Sequence, residues 1–145
     1  MKLNFSIVDR QPLPKQSYRA SGKGGYTEQR IKDWQEAVTW AAKTAMIEAG
    51  LFVDSRNLFA LTVTFYRRGG WAVDTDNMVK AIRDGCNGIV WRDDEQVIDD
   101  HLHKRTVSHW AHRVAGIRVT IETVSEKFTD AQRAAMFKDR LTKEE

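Results

Sequence analysis

The chain has 145 residues, the size of one domain, because single domains usually contain about 100 to 200 residues. Hydrophobic residues make up 41% and charged residues 30%, which excludes a chain that is disordered throughout. No apolar run approaches the roughly 18 residues of a spanning helix, and no secretory signal is visible, so we expect no membrane association. The single cysteine, Cys86, excludes an internal disulfide and indicates a reducing, cytoplasmic location.

Charge is distributed unevenly along the chain. Residues 74–100 contain eight acids and three bases, a net charge of −5, whereas the whole chain carries +3. The rest of the chain therefore carries +8. An acidic segment in a basic protein indicates that cations bind at the segment and polyanions bind around it, although chance clustering on a solvated surface gives the same pattern.

The first half of the chain predicts a strand, a long loop and a helix. Apolar and polar residues alternate over residues 3–8, which predicts a strand. Residues 10–25 predict a basic loop that contains both prolines. Residues 27–49 predict a helix, with Thr27 as its N-cap and Gly50 as its stop. Its apolar stripe consists of Ile31, Trp34, Val38, Ala41, Ala45 and Ala49.

The second half predicts five further elements. Residues 58–66 alternate as a strand, and a second helix runs from residue 75 or 76 to about residue 87. Residues 97–107 and 113–124 predict the two strands of a hairpin, and residues 129–140 predict a short helix. This order predicts an α+β fold, a small mixed sheet with helices packed on it.

We expect one domain over residues 1–145, of which about 126–145 form the C-terminal helix and a frayed tail. No internal repeat, low-complexity tract or linker divides the chain.

A group of carboxylates lies where an extended segment meets the second helix. Asp74 and Asp76 stand two residues apart, and Lys80 follows Asp76 by one helical turn. Asp93 and Asp94 lie in a turn after this helix, where the chain could return to the same end. Three carboxylates beside a lysine suit Mg²⁺ or Mn²⁺. This spacing does not choose among nucleases, phosphatases and structural ion sites.

The same residues form a longer pattern. The run D-x-D-N-x-x-K is Asp74, Asp76, Asn77 and Lys80, and it is followed by Trp91-Arg92-Asp93-Asp94-Glu95-Gln96-Val97 and then by Lys104. Residues 71–104 closely resemble the RusA family of Holliday junction resolvases. The resemblance implies a RusA-like α+β domain in a bacterial or phage-encoded protein.

The resemblance also implies an activity. Members of the family are homodimeric, Mg²⁺-dependent endodeoxyribonucleases that resolve four-way DNA junctions in recombination and repair, leaving 5′-phosphate ends. The implied catalytic residues are Asp74, Asp76, Lys80 and Asp94, with the three aspartates as metal ligands; Mn²⁺ is expected to substitute. Asp93 is an alternative to Asp94, and Asn77 is a possible further member.

Basic residues outside the acidic segment are candidates for DNA contact. These are Lys15, Arg19, Lys23, Arg67, Arg68 and Lys104. Two alternatives to a junction resolvase stay open: a less selective nuclease for branched or flap DNA, and a DNA-binding protein without catalytic activity.

Overall fold

The computed structural model describes residues 1–15, 28–69, 73–107, 114–127 and 131. Four predictions therefore lie outside the described residues. These are the Thr27 N-cap, most of the basic loop at 10–25, the hairpin tip at 108–112 and the helix at 129–140.

Six main elements follow one another along the described chain. They are β1 (Lys2–Val8), α1 (Glu28–Glu48), β2 (Asn57–Arg67), α2 (Thr75–Cys86), β3 (Val97–Thr106) and β4 (Gly116–Lys127). A single 3₁₀ turn, Asp94–Gln96, comes directly before β3. Each element agrees with a predicted one to within three residues at either end.

The four strands form one sheet in the order β1–β4–β2–β3. β4 is antiparallel to both of its neighbours, β1 and β2, whereas β3 is parallel to β2. The sheet is therefore mixed, and the predicted α+β class is confirmed. Because β2 and β3 are parallel, they need a crossover connection, and α2 supplies it.

The predicted hairpin of residues 97–107 and 113–124 is wrong. β3 and β4 are consecutive in the chain, but β2 lies between them in the sheet. The alternation of apolar and polar residues indicates that a segment is a strand. It does not indicate which other strand it pairs with. Burial does distinguish the two: β4 carries Ile117, Val119 and Ile121 at 2% exposure or less, as a central strand should, while most of β3 is exposed, as at an edge.

The core forms between the two helices and one face of the sheet. Phe59, Leu61, Val63 and Phe65 of β2 are fully buried, and the residues between them are only half-buried. This confirms the alternation predicted for β2. The buried helix residues that meet this face are Trp34, Val38, Ala42 and Met46 of α1, and Met78, Val79, Ile82 and Cys86 of α2.

The predicted stop of α1 at Gly50 is confirmed. Gly50 adopts a left-handed conformation with φ +67°, and its N–H donates to the carbonyl of Ile47 at 3.0 Å. The N–H of Leu51 donates to the carbonyl of Met46 at 2.9 Å, which completes the usual pair of bonds at a glycine-terminated helix.

Gly85 brings α2 close to α1. A Cβ atom at this position would lie 2.8 Å from a methyl group of Val38, closer than atoms can pack. The Thr39 hydroxyl donates to the Gly85 carbonyl at 2.9 Å. Since α2 carries the acidic motif, this contact fixes the motif relative to the core. Within the described residues, no helix is long and apolar enough to cross a membrane.

Candidate active site

Asp74 and Asp76 flank the first residue of α2. Asp74 is the N-cap, with extended backbone (φ −74°, ψ 131°), and its carboxylate makes no capping hydrogen bond. Its carbonyl accepts from the N–H groups of Asn77 and Met78, both at 3.2 Å. Both aspartates are exposed. This acid pair therefore presents its carboxylates to solvent at the positive end of the helix dipole, where anionic groups are stabilised.

Lys80 lies one turn beyond Asp76 on the same helix face. It is exposed, and no ion pair with another described residue neutralises its ammonium group. Asn77, the possible further member, is half-buried and its carbonyl accepts the N–H of Lys15 at 3.1 Å. The structure thus brings Asp74, Asp76, Asn77 and Lys80 together at one end of α2.

Asp93 caps the 3₁₀ turn before β3. Its carboxylate accepts the N–H of Glu95 at 3.0 Å, and its own N–H donates to the side chain of Gln96 at 3.2 Å. Only 4% of Asp93 is exposed. This reciprocal bonding gives Asp93 a structural task, and the choice of Asp94 over Asp93 as the functional acid stays a prediction.

Gln96 holds this turn to the rest of the domain. It is fully buried, and its amide nitrogen donates to the carbonyls of Asp54 at 2.7 Å and Asn57 at 3.0 Å. Its amide oxygen accepts the N–H groups of Arg92 and Asp93. One side chain therefore satisfies four backbone groups, a role that the motif pattern alone does not reveal.

Asp94 lies beside the second half of α2. Burial raises the pKa of its carboxyl group above the ordinary value, and the hydrogen bond and negative charge of Asp93 raise it further. The charge of Asp84 also raises this pKa, whereas Arg83 lowers it. The charges that act on Asp94 are thus those at the end of α2 remote from the acid pair.

The structure separates the predicted carboxylates into two groups. Asp76 and Asp84 are eight residues apart in α2, about 12 Å along the helix axis. Within the described ranges, no set of three or more His, Cys, Asp or Glu side chains is arranged to hold a metal ion. The described chain therefore provides a pair of exposed carboxylates at the start of α2, and it does not bring Asp94 to them as a third ligand.

Three of the predicted DNA-contacting cations are engaged within the protein. Arg67 is only 6% exposed, and its side chain donates to the carbonyl of Pro12 at 3.2 Å. Its side chain is therefore engaged inside the free protein, and its contact with DNA stays a prediction. Lys15 forms an ion pair with Asp84, and Lys104 donates to the carbonyl of Val73 at 2.9 Å.

Of the other three residues predicted to contact DNA, only Arg68 lies among the described residues. Arg68 is exposed at the end of β2, with a guanidinium nitrogen 3.7 Å from the Asp9 carboxylate, and it stays available to a polyanion. Arg19 and Lys23 lie outside the described residues.

Several residues that organise the site were not predicted. Arg83 of α2 forms an ion pair with Asp100 of β3, which joins the crossover helix to the edge strand. Lys15 reaches α2 twice, through its N–H to Asn77 and through its side chain to Asp84. The i, i+4 spacing of Lys80 and Asp84 was a usable signal for the shared helix face, but nothing in the sequence indicates that Lys15 packs there.

A concave surface on the described part of the chain lies away from both acidic groups. It encloses about 380 Å³ at the ends of β1, β2 and β4, and its lining includes Ser6, Tyr66 and Arg118. None of the residues of the acidic motif lines it, so we place the candidate site on the exposed end of α2 instead.

Comparison with known proteins identifies the family. The model of the endodeoxyribonuclease RusA family matches residues 9–122, most of the chain, and this range includes the acidic residues described above. A comparison with curated proteins found no significant match.

Proposed function

The chain belongs to the endodeoxyribonuclease RusA family, and on that premise we propose that it is a Mg²⁺-dependent nuclease that resolves four-way DNA junctions by paired nicks. One observation carries the proposal. The acid pair of Asp74 and Asp76 is exposed beside the unneutralised ammonium of Lys80, on a helix that is fixed to the core.

The donor set suits a hard divalent cation, because carboxylate oxygens are the ligands that Mg²⁺ and Mn²⁺ prefer. Asp74 has no capping bond to break before it binds a cation, and both carboxylates are open to solvent. We propose Asp74 and Asp76 as ligands, with Mn²⁺ able to substitute. Asp94 stays the predicted third ligand and would have to approach the acid pair, because the described part of the chain does not bring the three carboxylates together. A bound cation polarises the scissile phosphate and lowers the pKa of a coordinated water.

Lys80 has a separate task. Its ammonium group lies one turn from Asp76, and we propose that it stabilises the negative charge that develops on the phosphate in the transition state. We propose Asn77 as a further member of the site, since it follows Asp76 directly in the first turn of α2 and is half-buried.

The substrate chemistry supports a homodimer. A four-way junction has two-fold symmetry in its exchanging strands, and its resolution to ligatable 5′-phosphate ends requires two related nicks. One chain carries one acid pair, so two copies related by a two-fold axis supply two nicks. The positive charge outside residues 74–100 favours contact with the phosphates of the arms.

Cleavage assays with three DNA substrates test the proposal. The purified protein is incubated with a four-way junction, a flap and a plain duplex, each with and without Mg²⁺. We expect nicks in the junction only, dependent on Mg²⁺, and 5′-phosphate ends that ligase can seal. Equal cleavage of the flap would favour a less selective branched-DNA nuclease, and binding without cleavage would favour a non-catalytic DNA-binding protein.

A second experiment tests the two active sites. Sedimentation equilibrium at micromolar protein should give about twice the 16.7 kDa chain mass. Dimers that combine one wild-type subunit with one Asp76→Asn subunit should nick one strand per binding event. A monomer that makes both nicks would contradict the proposed dimer.

A further inference from the structure

We propose that Lys104 is a positioning residue for the Asp74–Asp76 acid pair rather than a contact for DNA. The inference rests on the function proposed above and identifies a residue that sets the geometry of the same site. It begins with one hydrogen bond, from the Lys104 ammonium group in β3 to the Val73 carbonyl, 2.9 Å long and partly buried.

This bond acts on the peptide group that enters Asp74. The carbonyl of Val73 and the N–H of Asp74 belong to one planar unit, so holding the oxygen fixes the orientation of the whole plane. The next plane is also held, because the Asp74 carbonyl accepts from Asn77 and Met78. Both planes that meet at the Asp74 Cα atom are therefore fixed, and with them the direction of its carboxylate.

The backbone bonds matter for Asp74 because its side chain makes no capping hydrogen bond that would hold the carboxylate in one orientation. An N-cap aspartate usually anchors its carboxylate on a backbone N–H of the first helical turn. Asp74 makes no such bond. The backbone thus positions a carboxylate that stays free to bind a cation, and Lys104 supplies the hold on the side of Asp74 that the helix cannot reach.

The position of Lys104 in the sheet suits this task. It pairs in register with Phe65 of β2, so it lies near the ends of the two parallel strands, where the chain leaves β2 for α2. Lys104 is half-buried and shares the sheet face that the helices cover, as its register with fully buried Phe65 shows. A charge-assisted hydrogen bond in such surroundings is stronger than one in bulk water.

Arg105 provides a matched control one residue away. Successive strand residues point to opposite faces, so Arg105 lies on the face of the sheet opposite to Lys104. It is exposed, and its guanidinium donates to the carbonyl of Lys104 at 2.8 Å. Arg105→Met removes a positive charge from the same strand and leaves the bond to Val73 in place.

The test compares Lys104→Met, Lys104→Arg and Arg105→Met in the full-length protein. Single-turnover cleavage of a saturated four-way junction measures the rate of the bound complex, and binding in EDTA at several salt concentrations measures affinity. We expect Lys104→Met to lower the cleavage rate by about 10- to 100-fold, since displacement of a reacting group by about 1 Å has effects of that size. Affinity should change less than about twofold, and its salt dependence should stay the same.

Lys104→Arg should restore part of the cleavage rate, because a guanidinium group can also donate to the Val73 carbonyl. Arg105→Met should leave the cleavage rate of the bound complex unchanged. If Lys104 instead contacts a phosphate, Lys104→Met will reduce the slope of log affinity against log salt by about one and leave the bound-state rate intact. That result would overturn the proposal.

A readout without DNA separates this proposal from the proposed function. In nitrogen-15 spectra of the free protein, Lys104→Met should shift the Asp74 amide resonance and speed its hydrogen exchange, while Arg105→Met should not. An unchanged Asp74 amide would overturn the positioning role even if the wild-type protein cleaves junctions. If the wild-type protein cleaves nothing, the proposed function fails and the amide measurement still decides the role of Lys104.

Discussion

The aspartate carboxyl groups at the start of α2 and those that follow the helix have opposite surroundings. At the first end, Asp74 and Asp76 are exposed, and the Asp74 carboxylate bonds to no helix N–H. Beyond the other end, Asp93 is buried and bonds to a backbone N–H, and the pKa of Asp94 is raised by burial and by Asp93. The first arrangement leaves carboxylates available to a ligand, whereas the second fixes the start of β3.

This difference shows that residue type and motif do not determine the role of an acid. The Asp93 carboxylate accepts a hydrogen bond from a backbone N–H group. It would lose this charge-assisted interaction if it turned to bind a ligand, so its role is structural. The Asp74 carboxylate is exposed and makes no capping hydrogen bond, so it loses no such interaction when it binds a ligand. Substitution of Asp74 should therefore affect activity, whereas substitution of a residue that holds the turn of Asp93 should affect stability.

The largest effect is expected for Asp74→Asn. The amide keeps the shape of the side chain and removes a ligand charge, so we expect cleavage to fall about 1,000-fold, equivalent to about 4 kcal/mol. Junction binding should persist or tighten, since a negative charge near the DNA phosphates is lost. Single-turnover cleavage and gel-shift titration measure the two quantities.

Glu36→Gln is the control for this substitution. Glu36 is an exposed acid on α1, and its neutralisation should change neither cleavage nor binding. Loss of junction binding together with activity in Asp74→Asn would show that Asp74 is structural, and the contrast between the two ends of α2 would then disappear.

Gln96→Leu should have the next largest effect, and it should act on stability. The leucine fills the space but leaves two carbonyls and two N–H groups without the partner that Gln96 provides. We expect the free energy of unfolding to fall by about 3 kcal/mol, measured by urea denaturation. Gln35→Leu, at a half-buried position on α1, should cost less than about 0.5 kcal/mol. Equal effects of the two substitutions would contradict a special role for Gln96.

Lys80→Met should lower the rate of junction cleavage about 30-fold, equivalent to about 2 kcal/mol, and should leave junction binding nearly intact. The charge is needed as well as the bulk of the side chain. Lys80→Arg should restore only part of the rate, because a planar guanidinium does not replace a compact ammonium. Near-normal cleavage by the methionine variant would remove Lys80 from the mechanism.

The smallest effect is expected for the pH dependence of stability at Asp94. A carboxyl group whose pKa is raised in the folded state binds its proton more tightly there, so its ionisation lowers stability as the pH rises from the unfolded value, about 3.9, through the folded one. In EDTA, Asp94→Asn should therefore be more stable than the wild-type protein at neutral pH, and this advantage should vanish below about pH 4. Urea denaturation at both pH values checks the sign; an advantage that grows in acid would contradict it.

Local patterns in the sequence predicted the elements well. The alternation of β2, the end of α1 at Gly50 and the start of α2 near Thr75 depend on residues close together in the chain, and the structure confirms all three. The partner of each strand was not predictable in the same way. β3 and β4 both alternate, but their places at the edge and in the centre depend on contacts with segments far away in the chain.

The candidate site shows the same division. Its residue types come from the motif, and their roles stay predictions, while the family model matches a range that includes them. The roles of the surrounding cations did not follow, because Lys15, Arg67 and Lys104 find their partners in distant segments of the chain. A basic residue that the fold uses internally looks the same in sequence as one that faces DNA.

The central place of β4 has a consequence for how the protein is made. β1 and β2 do not pair with each other, and both pair with β4. Leu3 in β1 therefore has no neighbouring strand until Ile121 in β4 has been synthesised. As the chain leaves the ribosome, the gap in the sheet persists until residues 116–127 emerge, and pairing between such distant segments is slow. A partly translated chain should therefore carry the acid pair on the crossover between β2 and β3 before β1 has joined the sheet.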